Sequence, residues 1–176
     1  MSQVLKESMY TSFAEFEAME KQERFQYELC DGMVLMSPRP SLRHSEVASR
    51  LLTLLNIPFL KGKECLAYSE ADIRYKDTYL VPDVSLRCVG QELPLIVFEV
   101  LSPGNRRYDL LVKPSAYQSL GILEYWIIDP EEEAVLVYNL MNADAQVKTY
   151  HSGQIIQSNV KPEITIPVDE IFETLI

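Results

Sequence analysis

The sequence is short of cysteine, of basic side chains and of long apolar runs, and each shortage excludes a class of protein. Cys30, Cys65 and Cys88 are odd in number, widely spaced and form no CxxC pair. That pattern suggests neither a disulfide framework nor a zinc site, and it fits a reducing cytoplasm. No apolar stretch approaches the roughly 20 residues a membrane span needs. The N-terminal MSQVLKESMY lacks the apolar core of a signal peptide. Repeats, low-complexity tracts and linkers rich in Gly, Ser or Pro are also missing, so a single domain over residues 1–176 is expected. What is present is a chain with 47% hydrophobic and 24% charged residues. Those values are close to globular averages, and the length suffices for a real core.

The shortage of basic charge is uneven. Sixteen Lys and Arg face 26 Asp and Glu, for a net charge of −10, which argues against a general nucleic-acid binder. Residues 1–38 carry a net −4 and residues 121–176 a net −8, whereas residues 39–120 carry a net +2. The middle of the chain is therefore the part that meets a phosphate backbone without a general electrostatic penalty.

Local signals predict the elements. Ser12 followed by Glu15 resembles a capping box opening a helix through about Glu20. Asp31-Gly32, between two short apolar runs, reads as the turn of a β-hairpin. A helical pattern runs from about Ser41 to Asn56, with a stripe of Ala48, Leu51, Leu52 and Leu55 on which His44 also falls. Strands are expected near residues 66–75, 79–87 and 94–101, a helix within 109–120 stopped by Gly121, and a strand at 124–129. A β-rich stretch and a closing helix from about Val168 complete the chain. This order predicts an α/β (mixed α+β) fold with a central mixed sheet flanked by helices, an N-terminal hairpin and a C-terminal β-rich extension.

The chemistry is suggested by two acids in apolar strands. Glu99 interrupts Leu93–Leu101, which is apolar on both faces, and Asp83 is the single acid of Tyr79–Leu86. A buried carboxylate is costly unless paired, protonated or metal-bound. Both acids stand eight residues from Gln91, so a symmetric antiparallel hairpin puts them directly opposite on one face. Like charges there destabilise a sheet, and a Mg2+ ion would turn that repulsion into a site. The alternative reading pairs each acid with an arginine such as Arg74 or Arg87.

The words Tyr27-Glu-Leu-Cys-Asp-Gly, Arg43-His44, Val81-Pro-Asp-Val, Glu99-Val-Leu-Ser-Pro, Asp109 with Lys113, and Glu124-Tyr-Trp-Ile-Ile-Asp-Pro together resemble the Uma-type restriction-endonuclease family. Pro82-Asp83 followed by Glu99 is similar to the PD-(D/E)xK nuclease pattern. The resemblance runs from about residue 11 to the C-terminus. It implies a restriction-endonuclease-like fold and a Mg2+-dependent phosphodiesterase, with Mn2+ as a substitute. In the enzyme reading, a Mg2+ held by Asp83, Glu99 and the Val100 carbonyl would position water for in-line attack on a phosphodiester. The usual lysine two residues after the second acid is Leu101 here, and Lys113 is the position that matches the family's displaced lysine. Lys113 precedes Pro114, which disfavours helical angles before it, so either Asp109 caps a helix that accommodates an early proline or the helix starts at Pro114.

His44 is a candidate proton carrier or phosphate donor, or else a satisfied buried histidine. Arg39, Arg43, Arg106 and Arg107 flank the acids in sequence and are candidate phosphate contacts, with solvated loop arginines as the alternative. Glu28 reads as an exposed hairpin acid or a metal assistant, and Asp72 as a third acid or a partner of Arg74. Tyr125 and Trp126 read as core, and His151 has no ligand at useful spacing. Two function classes follow: a nuclease acting on nucleic acid, with DNA favoured, or a catalytically inactive nuclease-fold binding module. Cutting two strands with one metal site per chain suits a two-fold homodimer.

Overall fold

The computed structural model describes residues 10–60, 62, 64–142 and 146–174. The N-terminal stretch read above for a signal-peptide core lies, up to residue 9, outside the described residues. In chain order the elements are α1 (Phe13–Ala18), β1 (Phe25–Cys30), β2 (Met33–Pro38), α2 (Leu42–Asn56), β3 (Cys65–Ser69), β4 (Ile73–Tyr75), β5 (Thr78–Leu80), β6 (Val84–Cys88) and β7 (Ile96–Val100). There follow α3 (Arg106–Leu111), α4 (Lys113–Ser119), β8 (Glu124–Asp129), β9 (Ala134–Asn139), β10 (Gln146–Tyr150), β11 (Ile155–Gln157), β12 (Thr165–Pro167) and α5 (Val168–Phe172). The chain forms two compact units, one of the segment up to Arg39 with Asp72–Val81, the other of Pro40–Ala71 with the chain from Pro82 onward.

The first unit is a four-stranded sheet in the order β2-β1-β5-β4. Asp31 and Gly32 both take positive φ, 48° and 76°, which a two-residue hairpin turn needs. The Ser12–Glu15 capping box forms as expected. Within the helix it opens, Phe16 packs its ring 5.5 Å from that of Tyr79.

The second unit is a six-stranded sheet in the order β10-β9-β8-β7-β6-β3, in which β7 and β8 are parallel and the other neighbours antiparallel. The parallel step requires a crossover, and α3 and α4 supply it. The main core gathers Val84, Leu86, Ile96, Phe98, Val100, Trp126 and Ile128 from alternate strand positions. Onto that face α2 lays Val47, Leu51 and Leu55. Each such fully buried leucine stabilises by about 1.5–3 kcal/mol. Strand alternation puts Glu99 on the opposite face from Phe98 and Val100. That is the face shared with Tyr125 and Ile127 through the β7–β8 register.

Three expectations are corrected. The run 66–75 is two strands, because Glu70 turns at φ 48° and sends β3 and β4 to different sheets. The run 79–87 divides likewise into β5 and β6 around Pro82, which has no N–H to offer a ladder. Cys65 and Cys88 form a disulfide rather than standing as unrelated thiols. They face each other directly in the β3–β6 register with Cα atoms 3.9 Å apart, a long-range pairing that spacing along the chain does not reveal. Cys30 is buried and lies outside that disulfide.

Candidate active site

Asp83 and Glu99 stand where the symmetric hairpin puts them. The β6–β7 ladder pairs Val84 with Phe98, Ser85 with Val97 and Leu86 with Ile96, and one more step reaches Asp83 and Glu99. Asp83 sits just before the strand, and the Val100 N–H donates to its Oδ2 at 2.7 Å. The Asp83 N–H in turn approaches Glu99 Oε2 at 3.4 Å.

Helices reach this pair from both faces of the sheet. On α2, Ser41 caps the helix by accepting from the His44 N–H. That fixes His44 in the first turn, on the buried stripe, with Nε2 3.1 Å from Asp83 Oδ2. Burial pushes the His44 imidazole down. Hydrogen bonding to Asp83, the Asp83 charge, the Val100 carbonyl and the Asp109 charge outweigh it and hold the pKa above its ordinary value.

From the other face come α3 and α4. The helix breaks at Val112, so Lys113 is the first residue of α4 and Pro114 the second, where a missing N–H breaks no helical hydrogen bond. The proline thus positions the lysine rather than excluding it. Lys113 Nζ lies 2.7 Å from Glu99 Oε1 and 3.2 Å from Asp109 Oδ1, and the Lys113 and Glu99 side chains are each 5% exposed. Leu101, at the usual lysine position, is instead buried, and its N–H donates to the Ile128 carbonyl.

Tyr117 is the residue that sequence reasoning missed. Its hydroxyl donates to Glu99 Oε1 at 2.7 Å from a fully buried ring. An aromatic at helical spacing reads as core, and the available signal was its position one turn beyond Lys113 on the same helix face. Its ring packs 5.0 Å from that of Tyr125, whose hydroxyl donates to the Asp109 carbonyl at 3.1 Å. Burial, then the charges of Glu99 and Asp109, push the Tyr125 hydroxyl well above its ordinary pKa.

The arginines are placed otherwise. Arg43 binds Glu46 at 3.1 Å and the Phe172 carbonyl at 2.9 Å. Arg106 binds the buried Asp129 at 2.7 Å, Arg39 donates to the Glu23 carbonyl, and Arg107 is exposed. The arginine partners considered for the two acids are engaged elsewhere: Arg74 pairs with Asp72 at 2.6 Å, and Arg87 donates to the Ala71 carbonyl. Glu28 is buried rather than exposed, because β1 pairs with β5 and its carboxylate accepts from the Val81 N–H at 2.8 Å. His151 is exposed, with its N–H bound to Gln154.

Among the described residues, no three or more His, Cys, Asp and Glu side chains cluster as a metal site. Carboxylate and carbonyl oxygens nevertheless suit a hard cation. The hydrogen bonds to Asp83 fall on Oδ2, and none from the described residues reaches Oδ1. Glu99 Oε2 takes a long bond of 3.4 Å, in contrast to the two short ones on Oε1. Two carboxylates and a carbonyl leave room for the water and phosphate oxygens that Mg2+ prefers.

The fold and this carboxylate–lysine cluster define a nuclease-like α/β protein. The chain belongs to the Uma2 family, described as "Putative restriction endonuclease", which matches residues 13–169. A solved structure described as a putative nuclease belonging to DUF820, from Anabaena variabilis ATCC 29413, is similar with a TM-score of 0.72. Identity is 20%, over 92% of this chain and 97% of that one. No curated protein matches the chain. No helix of the described residues is long and apolar enough to cross a membrane.

Proposed function

We propose that this chain is a Mg2+-dependent phosphodiesterase that cuts nucleic acid, DNA foremost. The observation that carries the reading is Lys113 and Glu99 meeting at 2.7 Å while Val100, the next residue, holds Asp83 by its N–H. Asp83 Oδ1, Glu99 Oε2 and the Val100 carbonyl are the groups that would hold the cation, with Mn2+ as a substitute. When bound, the ion supplies charge neutralisation at the phosphoryl oxygens.

The chain's own residues do the rest. Lys113 fixes Glu99 and carries the positive charge that offsets a developing phosphorane. His44 presents Nε2 to Asp83 Oδ2 at 3.1 Å at the edge of the acid pair, with its pKa held above the ordinary value. The Lys113 and Glu99 side chains are each 5% exposed, and that burial strengthens their interaction. A two-fold dimer would offer one such site to each strand of a duplex.

A second reading, a nuclease-fold module without catalysis, is favoured by the net charge of −10 and by the engagement of Arg43 and Arg106 with protein partners. Incubation of the protein with single- and double-stranded DNA and RNA, in Mg2+, Mn2+ and EDTA, separates the two. Cleavage lost in EDTA and in Asp83→Asn supports the enzyme. A wild type that cleaves none of the four substrates with either metal rejects it.

A further inference from the structure

Helix α2 has two distinct faces. The inner one, with His44, Val47, Leu51 and Leu55, is buried. The outer one forms a groove of about 840 Å3 with mostly apolar walls, closed at one side by Thr174. Leu42 stands at its end, 88% exposed. A single exposed leucine is ordinary, but apolar surface gathered in one groove marks a contact site.

Residues four apart form a ridge along a helix. Leu42, Glu46, Arg50 and Leu54 make one such ridge, and the small Ser45, Ser49 and Thr53 make the next, with the groove along them. Read in reverse, the first ridge keeps its apolar ends and exchanges its acid and its base. An antiparallel copy therefore sets Leu42 against Leu54 and Glu46 against Arg50, twice over. The short side chains of the second ridge leave room for the incoming one. Ridges of this i+4 kind interdigitate at about −50° in the commonest class of helix packing. Within the chain, Arg43 holds Glu46 at 3.1 Å and Glu173 holds Arg50 at 3.2 Å. Those pairs keep both charges ordered on the groove, and a copy adds a second partner to each.

We infer that the outer face of α2 is a two-fold interface with a second copy of this chain. Charge complementarity selects the copy as occupant, because an acid and a base flanking one centre are matched by the same ridge reversed. This contact surface deepens the two-fold dimer of the proposed function. It uses the face of α2 opposite to the one that carries His44 to Asp83.

The test is assembly, which needs no metal, substrate or activity. Sedimentation velocity at high micromolar concentration and physiological salt is run on wild type, on Glu46→Arg, on Arg50→Glu and on an equal mixture of the two variants. Thermal melts check that each protein is folded. Wild type is expected to be a dimer. Each variant alone sets like charges opposite each other at both contacts, and is expected to be a monomer where wild type is dimeric. The mixture restores an acid opposite a base at both contacts and is expected to regain the dimer, which misfolded variants could not do. A monomeric wild type overturns the interface and leaves the nuclease reading standing, since assembly and cleavage are measured apart. Variants that remain dimeric move the contact to another face and overturn it too. So does a mixture of monomeric variants that fails to pair.

Discussion

Asp83 and Glu99 are held by each other's strand: the N–H of Val100, next to Glu99, donates to Asp83 Oδ2 at 2.7 Å, and the N–H of Asp83 points to Glu99 Oε2 at 3.4 Å. Two carboxylates facing each other across a ladder would repel. Here each finds a backbone donor in the opposite strand, and a separate side chain from a helix, the His44 imidazole for Asp83 and the Lys113 ammonium for Glu99. These contacts hold the two acids close to each other.

Lys113 serves two buried acids, and this orders the cost of removing each partner. Lys113→Met leaves both Glu99 and Asp109 without its ammonium, while Glu99→Gln leaves Lys113 still beside Asp109 at 3.2 Å. Breaking a buried ion pair costs about 3–5 kcal/mol, and Lys113→Met is expected to fall in that range. Glu99→Gln is expected to lose clearly less. Urea unfolding in EDTA measures both. An equal loss, or a larger one for Glu99→Gln, contradicts the ordering.

His44 gives the metal-free protein a pH dependence. Its folded pKa is raised, so the protonated form is favoured by folding. That contribution is fully present below the unfolded value of about 6.5 and is lost as pH rises through the higher folded value. His44→Gln keeps a polar side chain that does not titrate. In EDTA, the Tm advantage of wild type over His44→Gln should be largest near pH 6 and shrink toward about pH 9. An advantage flat across that window shows that the Asp83 contact carries no protonation linkage.

The Cys65–Cys88 bond closes a loop of sequence separation 23, joining edge strand β3 to β6, the strand that begins beside Asp83. Chain-entropy arguments assign a loop of this size about 3 kcal/mol. Under non-reducing conditions Cys88→Ser is expected to lose about that much stability. Dithiothreitol should lower the Tm of wild type toward that of the variant and leave the variant itself unmoved. A wild type insensitive to reductant, with two thiols titrating on the unfolded chain beyond Cys30, shows that the bond does not form in solution.

Legibility in the sequence followed the range of the interaction. Asp83 and Glu99 could be paired because one short hairpin joins them and the arithmetic of an antiparallel ladder is local. Lys113 came only through resemblance, since its approach depends on how α4 crosses the sheet, which no periodicity encodes. Tyr117 escaped because an aromatic in a helical stripe is indistinguishable from core until the acid beneath it is seen. The cysteines escaped because β3 reaches β6 across the intervening β4 and β5, and an odd count argued against any pair. The arginines were grouped by nearness in sequence, which carries no information on direction: Arg106 turns to Asp129 while its neighbour Arg107 stays exposed.

That divergence between adjacent arginines yields the last prediction. Arg107→Ala removes an exposed cation, so folding should be unaffected while nucleic-acid affinity falls. If Arg107 meets one phosphate, the slope of log affinity against log salt should become shallower by about 1. Arg106→Ala instead takes the guanidinium from Asp129, whose side chain is 3% exposed and which keeps its hydrogen bonds from the Glu131 and Glu132 N–H groups. Arg43→Ala likewise removes the bond that ties the start of α2 to the Phe172 carbonyl at the end of α5. Both should lower Tm and leave the salt slope as in wild type. Fluorescence anisotropy with a labelled duplex at several salt concentrations, beside thermal melts of the three variants, measures both quantities. A salt slope that moves in Arg43→Ala or Arg106→Ala but not in Arg107→Ala would reverse the assignment, showing that the paired arginines release their carboxylates to take the phosphates.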